Sequence, residues 1–210
     1  MKFIGGALCL DFVNTVGAWV STHQGRRRRN YADTVLRDKI GSYQDLLAWA
    51  HEGGVLSRED VRRIGALAER EPQPAAGVLR RAMTLRASLY RILRCAIEHW
   101  TPDESDVTVL EKEIAFLRTN ERLRHSGSQW RWELAPVSLE CVVWLVARSA
   151  AELLTSPELA NLRQCPGHEC GWLFLDTSQN RRRQWCEMKV CGNRAKVKRF
   201  RERATRAVIT

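Results

Sequence analysis

The chain reads as mainly α: a helical N-terminal domain over residues 1–160, then a small α+β module over 161–210 that carries four cysteines and ends in a basic helix. Three observations predict this. Apolar stripes at helical spacing run from Ala75 to Trp100 and from Pro136 to Leu154. Cys165, Cys170, Cys186 and Cys191 fall in the pattern C-x4-C-x15-C-x4-C. From Cys165 onward there are eleven Lys or Arg against four Asp or Glu, a net of +7 out of +10 for all 210 residues.

The elements follow in order. Leu8, Phe12, Val13 and Val16 recur near helical spacing and predict a first helix after the Gly5-Gly6 turn. The polar stretch Ser21 to Asn30, with Arg26 to Arg29, reads as a surface loop. Ser42 caps a helix through Leu46, Leu47 and Trp49 that Gly53-Gly54 ends. Ser57 with Asp60 forms a capping signal for a helix carrying Val61, Ile64, Leu67 and Ala68. Pro72 and Pro74 then break the chain.

Val78, Leu79, Met83, Leu85, Leu89, Ile92, Leu93 and Ile97 line the central helix, Ala75 to Trp100. Asp103 begins a weaker helix through Leu110, Ile114 and Leu117. Gln129 to Leu134 alternates with period two, a strand that pairs with the residues before it. Another buried helix starts near Pro136 and carries Leu139, Val142, Val143, Leu145 and Val146. In the module, Trp172 to Leu175 and a weaker stretch near Trp185 read as strands. The last helix starts at Cys191 or just after it. It sets Val197, Phe200, Ala204 and Val208 on one face and Arg194, Lys196, Lys198, Arg199, Arg201, Arg203 and Arg206 on the others.

Two short Cys-to-Cys loops joined by a longer connection bring four thiolates to one tetrahedral centre, an arrangement zinc accepts. His168 offers an alternative nitrogen ligand, but the matched C-x4-C halves and the softness of thiolate favour Cys165, Cys170, Cys186 and Cys191 with one structural Zn2+. A disulfide pair would need an oxidising compartment, and the opening residues match no secretory or lipoprotein signal, so the cytoplasm is expected. No stretch approaches the roughly 20 apolar residues of a membrane span. Cys9, Cys95 and Cys141 sit in apolar contexts and read as core.

A four-sulfur shell leaves no open position for catalysis, and the sequence has no G-x-S-x-G, H-E-x-x-H or Gly-rich phosphate loop. An enzyme is not expected. Behind the metal site the charge is almost all of one sign, with Glu202 the exception after Cys191. Clustered Lys and Arg are the footprint of phosphate binding. Arg194, Lys196, Lys198, Arg199, Arg201 and Arg203 would therefore contact DNA, with Arg181, Arg182 and Arg183 gripping the adjacent backbone. Asn193 reads as a helix cap or a donor to a thiolate, and Trp172 and Trp185 as the module's core. The competing reading is an adaptor that uses the zinc module to bind protein rather than DNA. Asp11, Asn14 and Thr15 lie close together and could line a pocket for a small-molecule ligand, or make capping and buried hydrogen bonds.

Cys-x4-Cys-Gly-Trp-Leu-Phe-Leu-Asp-Thr-Ser followed by Arg-Gln-Trp-Cys-x-Met-x-x-Cys-Gly-Asn-Arg-x-Lys resembles the CGNR zinc finger, whose tetrapeptide stands here as Cys191-Gly192-Asn193-Arg194. Leu10-Asp11-Phe12-Val13-Asn14-Thr15 and Tyr43-Gln44-Asp45-Leu46-Leu47-Ala48-Trp49-Ala50 resemble the ABATE domain that precedes this finger. The resemblance implies metal ligands at the four matching cysteines and a bacterial, stress-induced transcription regulator. In such a protein the first domain senses a ligand or forms a homodimer.

Overall fold

The computed structural model describes residues 1–21, 33–134 and 138–209. Arg26 to Arg29, most of the loop expected around them, and Pro136 lie outside the described residues.

The first helix is shorter than its apolar spacing suggests. α1 spans Leu8–Val13 and ends at Asn14. Val16 opens a strand instead, β1 (Val16–Ser21), which pairs antiparallel with β2 (Asp33–Asp38). Val16 is fully buried either way, so an i, i+4 apolar pattern served a helix and then a strand. The run Val-Gly-Ala-Trp-Val favours extended backbone, where β-branched and aromatic side chains pack well. Gly17 fits because a Cβ there would lie 2.8 Å from the Arg37 side chain.

α2 (Tyr43–Glu52) and α3 (Arg58–Arg70) each start in the expected capping box, Ser42 with Asp45 and Ser57 with Asp60. The expected break is there but only one residue long: α3 ends at Arg70, Glu71 is non-helical, and the prolines start the next helix instead of lying between the two. Pro72 is the first residue of α4 (Pro72–Glu98), where a missing N–H costs nothing, and Pro74 falls in the same first turn. Asp103 caps α5 (Glu104–Asn120), its carboxylate accepting from the Ser105 N–H at 2.9 Å. The expected hairpin is β3 (Glu121–Ser126) with β4 (Gln129–Leu134), and α6 (Cys141–Leu154) follows. After a 3-10 turn at Pro157–Asn161 comes β5 (Leu162–Gln164), antiparallel to β6 (Leu173–Leu175). A π-turn, Met188–Gly192, leads into α7 (Asn193–Ile209).

Buried acids bind the helices together. Glu113 of α5 takes a two-pronged bond from Arg81 of α4, at 3.0 and 2.7 Å. Asp106 takes another from Arg91, and Glu121 takes Arg148 of α6. These pairs set α5 antiparallel to α4. Each carboxylate is buried, so removing one arginine would strand a charge.

Around this frame the apolar side chains form one cluster, with Leu10, Phe12, Trp49, Leu85, Leu89 and Val146 at its centre. Phe12 meets Trp49 at 5.2 Å, and Trp19 stacks on Tyr90 at 4.0 Å and 9°. Leu162, Leu173 and Phe174 from beyond residue 160 belong to the same cluster. Among the described residues no helix is long and apolar enough to cross a membrane.

Arg86, buried in α4, donates to the Thr15 hydroxyl at 2.9 Å and clasps both carboxylate oxygens of Asp38. Burial opposes the charge on Asp38, but the Arg86 and Ile40 donors outweigh it and hold its pKa below the usual 3.8. A carboxyl whose folded pKa is depressed contributes stability above its unfolded value and loses it as pH falls through the folded one. Asp38→Asn should therefore lower the melting temperature at neutral pH, and the gap from the unsubstituted protein should begin to narrow as pH falls below about 4 and go on narrowing toward the depressed folded pKa. A gap that does not narrow at all in acid would contradict the pairing.

Candidate metal centre

The first ligand loop, Cys165 to Cys170, is held by backbone bonds. The Cys165 N–H reaches the Trp172 carbonyl at 2.8 Å, and the Cys170 N–H reaches that of Gly167 at 3.1 Å. Gly167 lies against the cluster itself, since a Cβ there would sit 3.1 Å from the Cys191 sulfur. Gly171, at φ +64°, turns the chain where a Cβ would strike the Trp19 carbonyl at 2.6 Å. The second loop closes through the Cys191 N–H to the Glu187 carbonyl at 2.9 Å, inside the π-turn.

These two loops bring the four sulfurs within 4.8 Å of one another, all buried. Cys186 lies 3.6 Å from both Cys170 and Cys191. Tetrahedral zinc with bonds near 2.3 Å separates its sulfurs by about 3.8 Å. A disulfide would need about 2.05 Å. The residues fit one structural zinc ion. His168 is exposed and outside this group.

The thiols' own electrostatics agree. Hydrogen bonds from Cys170 and Cys186 pull the Cys165 thiol down, while the same contacts with Cys165 push Cys170 and Cys186 up. Burial raises Cys191. A divalent cation at the centre lets all four ionise.

The module is tied to the first residues of the chain. Asn14, buried at the end of α1, bonds both backbone groups of Leu173: its Nδ2 donates to the carbonyl at 2.7 Å, and its Oδ1 accepts from the N–H at 3.0 Å. The Trp172 indole donates to the Val16 carbonyl at 3.0 Å, and the Trp19 N–H to the Cys170 carbonyl at 2.9 Å. The Leu175 N–H meets Gly5, and Lys39 lies 4.7 Å over the Trp172 ring.

These bonds correct the pocket expected at Asp11, Asn14 and Thr15. Asp11 accepts from the Gly5 N–H at 2.8 Å, and Thr15 donates to Phe12 while accepting from Arg86. With Asn14 they build the fold, which is the capping and buried-bond reading of the same residues.

Arg183 also departs from expectation. Its guanidinium donates to the carbonyls of Trp185 at 3.1 Å, Ile4 at 3.3 Å, Leu175 at 3.4 Å and Cys186, and lies 4.5 Å over Phe174. It is a clamp between the ligand loop and the irregular first residues of the chain, not a free cation for phosphate. The same bonds hold the backbone at Trp185 in an irregular form where a strand was expected. Sequence reading also passed over Asp176, which is buried and accepts from the N–H groups of Ser178 and Arg183. The Ser178 hydroxyl, first among its donors, holds its carboxyl below the usual range. Asp-Thr-Ser is the signal, an acidic residue poised to bond backbone two residues on.

The remaining cations are on the surface. Arg181, Arg182, Arg194, Lys196, Lys198, Arg199, Arg201 and Arg203 are all exposed. Asn193 donates back to the Lys189 carbonyl at 3.1 Å, so it fastens α7 to the π-turn. Val190, Asn193, Arg194, Val197, Lys198 and Arg201, spaced three and four apart, line an open groove of about 980 Å³ along this helix. Val197 and Phe200, on the apolar face of this helix, are 49% and 74% exposed.

Residues 161–204 match the CGNR zinc finger family. Residues 6–157 match the ABATE family, described as "putative stress-induced transcription regulator". No individually curated protein matches the chain. With most of its length inside that second match, the chain belongs to the ABATE family and carries a CGNR zinc finger at its C-terminal end.

Proposed function

We propose that the protein is a DNA-binding transcription regulator of the bacterial cytoplasm, reading duplex DNA through α7. The observation that carries this is the row of exposed cations on a helix whose first turn is fixed to the metal centre. Arg194, Lys196, Lys198, Arg199, Arg201 and Arg203 face solvent, with Glu202 the one acid among them. A helix so anchored is presented as a rigid rod, and a major groove admits such a rod. Arg181 and Arg182, on the loop before the second ligand pair, would hold the neighbouring phosphates. Zinc is structural in this reading, and the protein is not an enzyme. Residues 1–160 and 161–210 would act as the regulatory and DNA-reading parts respectively.

Two substitutions separate reading from scaffolding. Lys198→Ala, Arg199→Ala and Arg201→Ala together should weaken duplex affinity at least about tenfold without moving the melting temperature. Arg183→Ala should lower the melting temperature, because four carbonyls lose a donor. Fluorescence anisotropy with a short duplex, beside thermal melts, checks both. Unchanged affinity in the triple variant would pass the function to the protein-adaptor reading, which the exposed Val197 and Phe200 favour.

A further inference from the structure

The hairpin β3–β4 presents a face that neither the metal centre nor α7 uses. Its register sets Leu123 opposite Trp132 and His125 opposite Trp130, on the side that Glu121 and Leu134 share at its base. That base is held, Glu121 by Arg148 and Leu134 by the core. Beyond it Leu123 is 50% exposed, Trp132 55% and Trp130 65%, with the His125 ring 4.7 Å from that of Trp130. The antiparallel α4–α5 pairing brings the hairpin out beside the N-terminal half of α4. Tyr90, further along α4, meets Gln164 next to the metal module. This surface is therefore distinct from the basic helix.

An aromatic face with arginines nearby suits either nucleic acid or protein, and the state of the arginines decides. Arg118 pairs with Glu121 at 3.7 Å, Arg122 donates to the Thr119 and Glu121 carbonyls, and Arg124 faces Glu133 at 4.0 Å. Among the described side chains, these cations are already engaged inside the hairpin and offer phosphate less. From Glu113 to Leu134 there are arginines but no lysine. Protein interfaces are enriched in Trp and Arg and depleted in Lys.

We propose that this face binds a second copy of the chain, as an isologous dimer in which Trp130 and Trp132 pack on the same pair of the other copy. A flat pleated face can meet itself about a two-fold axis without bringing unpaired like charges together. Two Trp and a Leu a little over half exposed supply about 350 Å² per copy. Doubled, and with His125 on the same face added, the contact comes to roughly 850 Å², the size of a weak, transient interface. A contact of that size belongs with weak association, so the dimer is expected to form only as concentration rises.

Sedimentation velocity of the full zinc-loaded chain, from about 1 to 100 µM, tests this by mass action. The unsubstituted protein passes from monomer to dimer over that range. Trp130→Ser with Trp132→Ser weakens the dimer at least tenfold at an unchanged melting temperature, and Leu123→Arg, on the same exposed face, does likewise. Trp100→Ser, at an exposed tryptophan off the hairpin, leaves the dimer intact. A monomer throughout, or a double variant that dimerises as before, overturns the proposal. So does single-stranded oligonucleotide binding that the double variant loses, which would give the face to nucleic acid.

Discussion

Cys186→Ser is expected to release the zinc and to destabilise the chain well beyond the ligand loops. Structural zinc contributes about 10–16 kcal/mol to small modules at neutral pH. A whole domain is stable by only about 5–15 kcal/mol. Cys186 stands at the middle of the cluster, 3.6 Å from two other sulfurs, so its loss opens the shell rather than trimming an edge. The damage then spreads along contacts already named. Trp172, Leu173 and Phe174 are buried in one cluster with Leu10 and Phe12, and Cys170 itself bonds the backbone of Trp19. Metal analysis should fall from one zinc per chain to nearly none, and the main helical melt should move to lower temperature. Full zinc occupancy would refute the ligand set. An unchanged helical melt beside an emptied site would show that the finger does not support the N-terminal core.

Asn14→Ala should have the next largest effect. The side chain satisfies both the N–H and the carbonyl of Leu173, and all of these groups are buried. Leaving a buried backbone group unpaired costs about 1–3 kcal/mol, so the pair amounts to about 2–5 kcal/mol. For a chain of this length that is a drop of roughly 5–15 °C in melting temperature. Asn14→Asp keeps the acceptor for the N–H but turns a carboxylate toward the Leu173 carbonyl, so it should be destabilised as well. A shift under about 2 °C for Asn14→Ala would contradict the bridge. Since Asn14 belongs to the ABATE match and Leu173 to the CGNR match, the variant also measures how firmly the two are joined.

How much was legible in the sequence depended on the range of the interaction. The capping boxes at Ser42 and Ser57, the N-cap at Asp103 and the alternation in Gln129–Leu134 are local patterns, and the structure repeats them. Cysteine spacing works the same way, because two short loops can deliver four sulfurs to one point whatever surrounds them. Long-range partners left no local trace. Nothing near Asn14 in the sequence names Leu173, so a residue bonded across 159 positions looked like part of a pocket. Arg183 stood beside Arg181 and Arg182 as a third like charge, yet packing on Phe174 and bonds to four carbonyls gave it another role. Pro72 illustrates a local rule with two outcomes, since proline ends a helix inside it and starts one at its first position. β1 was missed because Val16 and Val13 keep a helical interval while the chain between them turns at Asn14.

The claim that α7 reads DNA is tested most directly by the salt dependence of duplex binding to the full zinc-loaded chain. Each phosphate contact adds about −0.9 to the slope of log affinity against log salt concentration. Six exposed cations from Arg194 to Arg203, with Arg181 and Arg182, predict a slope of about −4 to −7. Replacing Lys198, Arg199 and Arg201 by Ala should flatten it by about two to three units. A slope near zero, or one that the triple variant leaves as steep as before, would contradict the account.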